Sequence, residues 1–366
     1  MFKDLRAGFI RDEDVSKTVM DVERKVVETL MKVGPRYTEI SRITGAPIST
    51  VRYILRNRLP KLGLTVRPVI DYDMLGLQEY YAELRFSAHP QQAAGLLDML
   101  GESMYLTYYT HLLKEGKFVC VFTVPPKYES SFIEFLYKLE ELGILESHKV
   151  EKIVYRGVLP FRADCFDFRK GVWLQNWENK DTDSPPLKLS TRSRTLRNLT
   201  SLDLKILAKL QLNVFLKIIE LAAQLGVSRQ TLKRHYEHII KAIKLYAIAW
   251  MPVQNPELVS TPLMLSMDYD AETRRKTLKI PFTHMEILTE SGNYIAMMFL
   301  PSLGLYKTIR YIGENIPSNW LDFPNMNYAA HFTVHHGLFW EKGGWIDAFE
   351  VGLEKILKLV KATSQA

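Results

Sequence analysis

The sequence has very little cysteine, no long apolar run and none of the cysteine spacings that mark a metal site. Its two cysteines, Cys120 and Cys165, cannot form a disulfide framework, and no CxxC pair is present. The longest apolar run, residues 294–300, has the length of a strand and is too short to cross a bilayer. The first residues contain no apolar stretch of signal-peptide length. We therefore expect a cytoplasmic protein without a membrane segment.

Short catalytic motifs are also missing from the chain. The sequence has no nucleophile elbow, no phosphate-binding glycine loop and no paired metal ligands. His331, His335 and His336 lie close together, but no cysteine or acidic residue is near them, so we interpret them as sheet histidines rather than as metal ligands. The expectation is a protein that is not an enzyme and that binds no metal and no cofactor.

What the chain does have is an ordinary globular composition with excess positive charge. It contains 366 residues, of which 47% are hydrophobic and 24% charged, and its formal net charge is +7. The length predicts about two or three domains. A basic surface permits binding to nucleic acid or to an anionic membrane, but the total charge alone does not distinguish the two.

Residues 37–59 have the pattern of two short helices joined by a tight turn at Gly45. The second helix leaves short hydroxyls and cations on its outer face and no carboxylate, which suits a helix that enters a DNA major groove. The residues of this face are Ser49, Thr50, Arg52, Tyr53, Arg56 and Arg58. We interpret this stretch as a helix-turn-helix with a recognition helix.

A second copy of the pattern follows later in the chain. Gly226 and Thr231 lie 181 positions after Gly45 and Thr50 (226 − 45 and 231 − 50), which indicates an internal duplication. Ser228 is suited to cap the second recognition helix. The predicted DNA-binding residues of this copy are Ser228, Arg229, Gln230, Lys233 and Arg234.

Each helix-turn-helix is followed by a β-α-β-β-α-β series, the order of a ferredoxin-like domain. The fold class is therefore predicted to be α+β. We expect a helix-turn-helix domain over 1–77, a ferredoxin-like domain over 78–160 and a linker over 161–199. A second helix-turn-helix domain over 200–256, a second ferredoxin-like domain over 257–346 and a C-terminal helix over 347–366 complete the chain.

The linker carries a run of cations without an acid before Asp203. These cations are Lys188, Arg192, Arg194 and Arg197. Such a run is either a solvated basic loop or an arm that lies on phosphates.

The chain resembles a fused pair of regulators of the Lrp/AsnC family. The segment LDLKILAKLQLN from Leu202 is similar to the family's opening helix, ELAAQLGVSRQTLKR from Glu220 resembles its helix-turn-helix, and VRPVIDYDMLGL from Val66 is similar to its strand and hinge. The resemblance implies transcriptional regulation in an archaeon or bacterium through double-stranded DNA. It also implies an amino-acid effector and pairing through the sheets, and the C-terminal helix is a further candidate for a homodimer contact.

The chain departs from this family at two places. Pro47 stands where the family usually has a capping serine. Gly116 and Gly292 fit the glycine of the family's effector loop, but the aspartate that usually follows is missing in both copies. These two loops are the candidate effector sites.

Two other functions are compatible with the same architecture. Siroheme decarboxylases resemble this family, and a fused pair of their subunits would match the chain's length; His111, His284 and Arg85 are the residues that could be offered for a tetrapyrrole. The other alternative is a helix-turn-helix scaffold for protein contacts. Coloured protein with bound porphyrin would indicate the decarboxylase, and salt-dependent retention on DNA would indicate the regulator.

Overall fold

The computed structural model describes residues 22–179, 187, 195–251 and 260–363, with side chains as far as residue 358. Helices are α1 (22–33), α2 (Tyr37–Thr44), α3 (Ile48–Tyr53), α4 (Pro90–Ser103), α5 (Glu129–Glu141), α6 (Ser201–Leu212), α7 (Ile218–Leu225), α8 (Arg229–Ile239), α9 (Ala271–Lys279), α10 (Leu305–Asn315) and α11 (Phe349–Thr363). Strands are β1 (Leu64–Ile70), β2 (Gln78–Phe86), β3 (Leu106–Leu112), β4 (Phe118–Val124), β5 (Leu145–Val158), β6 (Phe166–Asp167), β7 (Val172–Trp173), β8 (Ile243–Trp250), β9 (Ser260–Asp268), β10 (Thr283–Thr289), β11 (Asn293–Pro301), β12 (Trp320–Asp322), β13 (Pro324–His331), β14 (Phe339–Trp340) and β15 (Gly344–Trp345). The predicted α+β fold, two helix-turn-helix units each followed by a ferredoxin-like domain, is confirmed.

The two ferredoxin-like domains share one nine-stranded sheet. Its order is β12-β9-β11-β10-β5-β2-β4-β3-β13, so each half keeps the strand order of a ferredoxin-like domain. The first part of β5 pairs with β2 and its last part with β10 of the other half. In the same way β12 pairs with β9, and β13, which begins after Phe323, pairs with β3 of the other half. Because β12 and β13 are almost continuous, the sheet returns on itself and its two halves face each other.

Apolar side chains from both halves fill the space between these facing sheets. The buried members of this inner layer are Tyr81, Tyr108, Leu112, Val119, Val121, Ile153, Met264, Ile287, Ile295, Met297 and Phe299. They alternate along their strands with residues that face the helices, as a sheet covered on both faces requires.

The helix-turn-helix units are exchanged between the halves. Buried residues of the first unit, such as Leu30 and Leu55, belong to the same core as Leu265 and Met298 of the second ferredoxin-like domain. Those of the second unit share a core with the first ferredoxin-like domain. The two units are joined by an antiparallel ribbon in which β1 pairs with β8. This crossing makes the chain one interlocked body.

The residues that end and cap the helices of the two helix-turn-helix units agree with the sequence. Gly45 and Gly226 end α2 and α7 with φ angles of 73° and 64°, a left-handed conformation that glycine adopts without strain. The Ser228 side chain accepts a hydrogen bond from the Thr231 amide at the start of α8. Pro47 precedes α3 and provides no side-chain cap.

The recognition helix of the second helix-turn-helix is followed directly by a strand. Helix α8 ends at Ile239, and the chain enters β8 at Ile243. The reason is tertiary, because the backbone of β8 pairs with that of β1. The two strands are far apart in sequence: the paired residues Arg67 and Ala247 are separated by 180 positions (247 − 67).

The predicted linker over 161–199 is structured over its first part. Strands β6 and β7 form a small hairpin, and the aromatic side chains of Phe161, Trp173 and Trp177 are buried. Strands β14 and β15 form an equivalent hairpin in the second half. Aromatic burial, which short-range periodicity does not reveal, holds both hairpins in place.

The C-terminal helix α11 packs on the first half of the chain. Phe349 of α11 packs against Phe132 and Phe135 of α5, with ring centroids 5.5 and 5.7 Å apart, so this helix covers the first half of the chain. No helix within the described ranges combines the length and apolarity needed to span a bilayer.

Candidate functional site: a cleft between the two sheets

A β-bulge places His284 at the mouth of the space between the sheets. The pairing of β10 with β11 runs from Thr283–Met298 directly to Met285–Met297 and leaves His284 without a partner in the register. Bulges bend a strand and re-aim a side chain, and they are common beside active sites. The His284 ring lies 5.6 Å from the Phe299 ring.

His331 lies in the same cleft at the end of β13. Its ring is 4.5 Å from the ring of Tyr108, the residue opposite it in β3. The residue is exposed at the end of the strand, yet desolvation by the surrounding protein, followed by the charges of Arg67 and Arg156, lowers its pKa to about 3. Desolvation and then Arg67 lower the pKa of His284 to about 4. Both imidazoles are therefore uncharged at neutral pH.

Two arginines supply positive charge to this cleft. Arg67 is exposed in the centre of the β1–β8 ribbon, opposite Ala247, and has no carboxylate partner among the described residues. Arg156 is on β5, 3.2 Å from a Glu79 carboxylate oxygen and over the Tyr72 ring. Asp71, Asp73 and Lys244 also lie close to the Glu79–Arg156 pair, so the unpaired positive charge of the cleft comes from Arg67.

The walls of the cleft are aromatic and sulfur-containing. The Tyr108 hydroxyl contacts the Met297 sulfur at 3.9 Å. Met251, Met285 and Trp320 pack against the same inner layer. Apolar walls, two uncharged imidazoles and two guanidinium groups together suit an apolar ligand that carries carboxylates.

The first predicted DNA-binding face is partly occupied by the protein itself. The Arg56 guanidinium donates to the Tyr37 hydroxyl at 2.8 Å and to the Phe215 carbonyl, in the other helix-turn-helix unit, at 2.6 Å. Arg58 donates to Glu23 at 2.8 Å and to the Phe168 carbonyl at 2.7 Å. Arg56 is nevertheless exposed and Arg58 is half-buried. Both guanidinium groups also hold the unit against its neighbours, and their part in DNA binding stays a prediction. Ser49, Arg52 and Tyr53 remain exposed, and Thr50 is half-buried.

The second predicted face is free. Arg229, Gln230 and Arg234 are exposed, and none of the three forms an ion pair with another described residue. Lys233 has only a distant, exposed contact of 3.8 Å with Glu237. The opposite side of α8 contacts α6. There Asp203 is fully buried and accepts hydrogen bonds from His235 and His238 of α8. Of the basic segment, Arg197 is exposed, whereas Lys188, Arg192 and Arg194 lie outside the described residues.

Each candidate effector loop receives a carboxylate from the other half of the chain. The loop at Gly116 donates the Lys114 and Glu115 amides to buried Asp322 at 2.9 and 2.7 Å. Near Gly292, side-chain hydrogen bonds from Lys149, Thr289 and Ser291 lower the pKa of Glu151 against its desolvation. The donors that would hold an effector carboxylate at the first loop are thus already in use.

The three residues that the sequence analysis named for a tetrapyrrole lie in different parts of the structure. His284 lies in the cleft, whereas His111 is buried beside Phe118, with centroids 4.9 Å apart, and Arg85 is exposed on β2. His335 and His336 are not on the strand with His331, since β13 ends at His331; His335 Nε2 donates to the Leu106 carbonyl at 2.9 Å. Sequence reasoning missed Arg67, Arg156 and His331, because only the strand pairing brings them together.

No protein-family model matches the chain, and no curated protein matches it in sequence. Among solved structures, it is similar to the siroheme decarboxylase NirDL, with 12% identity and a TM-score of 0.53, over 93% of this chain and 99% of that one. The same enzyme in complex with an iron-uroporphyrin III analogue matches with 12% identity and a TM-score of 0.47, over 89% of this chain and 93% of that one. AsnC of E. coli matches over 39% of this chain and 96% of its own, with 12% identity and a TM-score of 0.31.

The first of these similarities shows the fold of nearly the whole chain, including its tandem arrangement. It also contradicts the prediction that the chain is not an enzyme, because the full-length architecture from which a regulator was inferred is that of an enzyme as well. DNA binding and archaeal origin stay predictions.

Proposed function

We propose that this protein is an enzyme of the siroheme-decarboxylase type, which binds an iron tetrapyrrole with carboxylate side chains in the cleft between its sheets. The observation that carries the proposal is the convergence of two uncharged histidines and two arginines, from four distant strands, in one apolar-walled cleft. The fold similarity to the NirDL enzyme over nearly the whole chain supports it.

The arginines would hold the carboxylates at the edge of the substrate. A guanidinium group binds a carboxylate through two parallel hydrogen bonds, and it remains charged in a partly desolvated cleft. Arg67 is free of any carboxylate partner within the described chain and is the stronger candidate. Arg156 is held in place by Glu79 and would provide a fixed, partly neutralised contact.

The histidines would act near the carbon that loses its carboxylate. Decarboxylation breaks a C–C bond, releases CO2 and requires one proton at the carbon left behind. An uncharged imidazole can donate one hydrogen bond, accept another and relay a proton from solvent. The low pKa values of His284 and His331 keep both rings in this form throughout the neutral range.

Titration of the full chain with iron uroporphyrin III, followed by absorption, tests the binding step. We expect saturation at one equivalent per chain and CO2 release when siroheme is the substrate. His284→Asn and His331→Asn should retain binding but lower turnover about 100-fold or more, the usual contribution of a positioned acid or base. His89→Asn is a matched control, since His89 only caps α4 and asparagine caps equally well.

An absorption spectrum that the wild-type chain leaves unchanged would overturn the proposed function. Equal losses in the His89 control and the cleft variants would show that the effect is structural.

A second candidate function, DNA binding, is favoured by the free cationic face of α8. Its Ser228 cap and its exposed Arg229 and Arg234, which form no ion pair with another residue that the structure describes, match a recognition helix. The occupied arginines of the first unit favour contact through one unit rather than two. Salt-dependent retention of the full chain on duplex DNA tests this function independently of tetrapyrrole binding.

A further inference from the structure

A narrow recess with an unusual lining lies on one side of His284. It is bounded by Leu159, Pro160, Phe161, Trp173, Ile248, Trp250, Pro281, Phe282, Thr283, His284 and Phe299. None of these residues carries a charge while His284 is neutral. Its size corresponds to about one or two water-sized groups. It is therefore too small for a ring system and suited to one small substituent.

Two of the residues that line the recess are the buried tryptophans Trp173 and Trp250. Trp173 and Trp250 are only 5% and 3% exposed, and neither indole N–H has an acceptor among the described residues. The two rings lie 6.2 Å apart in an edge arrangement. A buried N–H without an acceptor is unfavourable, so two such groups beside one recess favour a ligand that brings an acceptor group.

The equivalent indole in the other half of the chain is satisfied. Trp345 stands opposite Phe339 in its hairpin as Trp173 stands opposite Phe166. The Trp345 N–H donates to the Leu75 carbonyl at 2.8 Å. The hairpin indole therefore lacks an acceptor in one half only. The Trp177 N–H, outside the recess lining, also lacks an acceptor among the described residues.

We propose that this recess receives the carboxylate that the substrate loses, with the indole N–H groups of Trp173 and Trp250 as its hydrogen-bond donors. The inference rests on the proposed function. The recess adjoins the cleft at His284 and Phe299, while Trp173 and Trp250 belong to the core between the second ferredoxin-like domain and the first helix-turn-helix unit. The overall change is R–CH2–COO⁻ + H⁺ → R–CH3 + CO2, so the C–C electron pair stays on the carbon and a solvent proton completes it. No electron is gained or lost.

The physical reason is the uncharged, aromatic lining. A carboxylate without a cation in such surroundings is poorly stabilised, whereas the charge that spreads into the substrate as CO2 departs is less penalised. The two N–H groups orient the carboxylate without neutralising it. Arginines on the recess wall would instead stabilise the ground state and slow the loss of CO2.

The double variant Trp173→Phe, Trp250→Phe removes both donors and keeps two aromatic rings. We expect its kcat for CO2 release from siroheme to fall at least 10-fold, with affinity for iron uroporphyrin III within about 3-fold of wild type. The preference of the protein for binding siroheme over its decarboxylated product should also decrease. Trp345→Phe, the matched control, should lower stability and leave kcat and this binding preference unchanged.

Wild-type kcat and an unchanged binding preference in the double variant would overturn the assignment of the recess, with the proposed function intact. A wild-type chain that binds iron uroporphyrin III but releases no CO2 would also overturn it. Loss of kcat in the Trp345 control, to the same extent as in the double variant, would count against it as well. A wild-type chain that binds no tetrapyrrole would overturn the proposed function first.

Discussion

The two halves of the chain share one scaffold but differ in the side chains that line the cleft. Strand β3 has a bulge where β10 has one, and the residue skipped in the register is Thr107 instead of His284. Each half also receives a strand from the other half: β13 pairs with β3 and ends at His331, and β5 pairs with β10 and ends at Val158. Each histidine therefore has a counterpart that can neither donate nor accept a proton at neutral pH.

The arginines show the same difference. Arg67 and Ala247 face each other at the centre of the ribbon and exchange places under the approximate two-fold relation of the halves. Arg156 pairs with β10 at the position where Ala329 pairs with β3. Each of the four cleft residues therefore occurs once in the chain, and the equivalent position in the other half holds a different residue type.

The different linings of the two halves show that fusion of two copies into one chain allows an asymmetric site. A symmetric homodimer presents each residue twice around its axis, so a cleft on the axis must be lined symmetrically. Once both copies are in one chain, each position can change alone. We interpret the cleft as a single asymmetric site, which agrees with the expected one equivalent of tetrapyrrole per chain.

The largest expected effect concerns a buried ion pair found in one half. Arg274 binds Glu286 through two hydrogen bonds of 2.8 Å, and Glu286 is fully buried. The corresponding contact in the first half is a hydroxyl–carboxylate bond from Tyr109 to Asp98. Arg274→Ala should lower the free energy of unfolding by about 3–5 kcal/mol, because it leaves a buried charge unpaired.

Urea unfolding measures this effect, with Arg275→Ala as the control. Arg275 pairs with Glu272 on the same helix, but both are exposed and screened by solvent, so the control should change stability far less than Arg274→Ala does. Equal effects of the two substitutions would show that the buried pair has no special part in the second half.

The next effect tests the asymmetry of the cleft. Arg67→Ala with Arg156→Ala gives both positions the residue type of their counterparts. Affinity for iron uroporphyrin III should fall about 10- to 100-fold, since a hydrogen bond to a charged group contributes about 1.5–3 kcal/mol. Arg85→Ala, on an exposed part of β2, should leave affinity unchanged. A cleft variant with wild-type affinity would contradict the location of the site.

The histidines predict a dependence of stability on pH. Their folded-state pKa values, about 4 for His284 and about 3 for His331, lie below the ordinary value of 6.5. Between these values the unfolded chain binds more protons, so the free energy of unfolding should fall as pH decreases from about 6.5 towards 4. His284→Thr with His331→Val should flatten the fall between pH 7 and 5. Parallel curves for variant and wild type would show that the two rings are not desolvated.

The smallest effect compares the two helix-turn-helix units. If the chain binds DNA, Arg229→Ala with Lys233→Ala should reduce the slope of log affinity against log salt by about 2, one for each lost phosphate contact. Arg56→Ala should leave the slope unchanged, because its guanidinium is bound to Tyr37 and the Phe215 carbonyl. A larger change from Arg56→Ala would reverse the assignment of the two faces.

Local patterns predicted much of the scaffold. The glycines that end α2 and α7 and the Ser228 cap act over a few residues, so their spacing reveals both helix-turn-helix units. The ferredoxin-like order also follows from short alternating and helical periods. The candidate site could not be predicted in this way: of its four cleft residues, only His284 was offered for a tetrapyrrole from sequence, and His331 was interpreted as a sheet histidine.

What the sequence by itself determined is the type and order of the elements and their duplication, since each depends on neighbours within about one turn or one strand. Only the tertiary structure decided that the halves exchange strands and helix-turn-helix units, and that Arg67, Arg156, His284 and His331 meet. The physical reason is that strand pairing and desolvation depend on residues far apart in the chain, which no local period records.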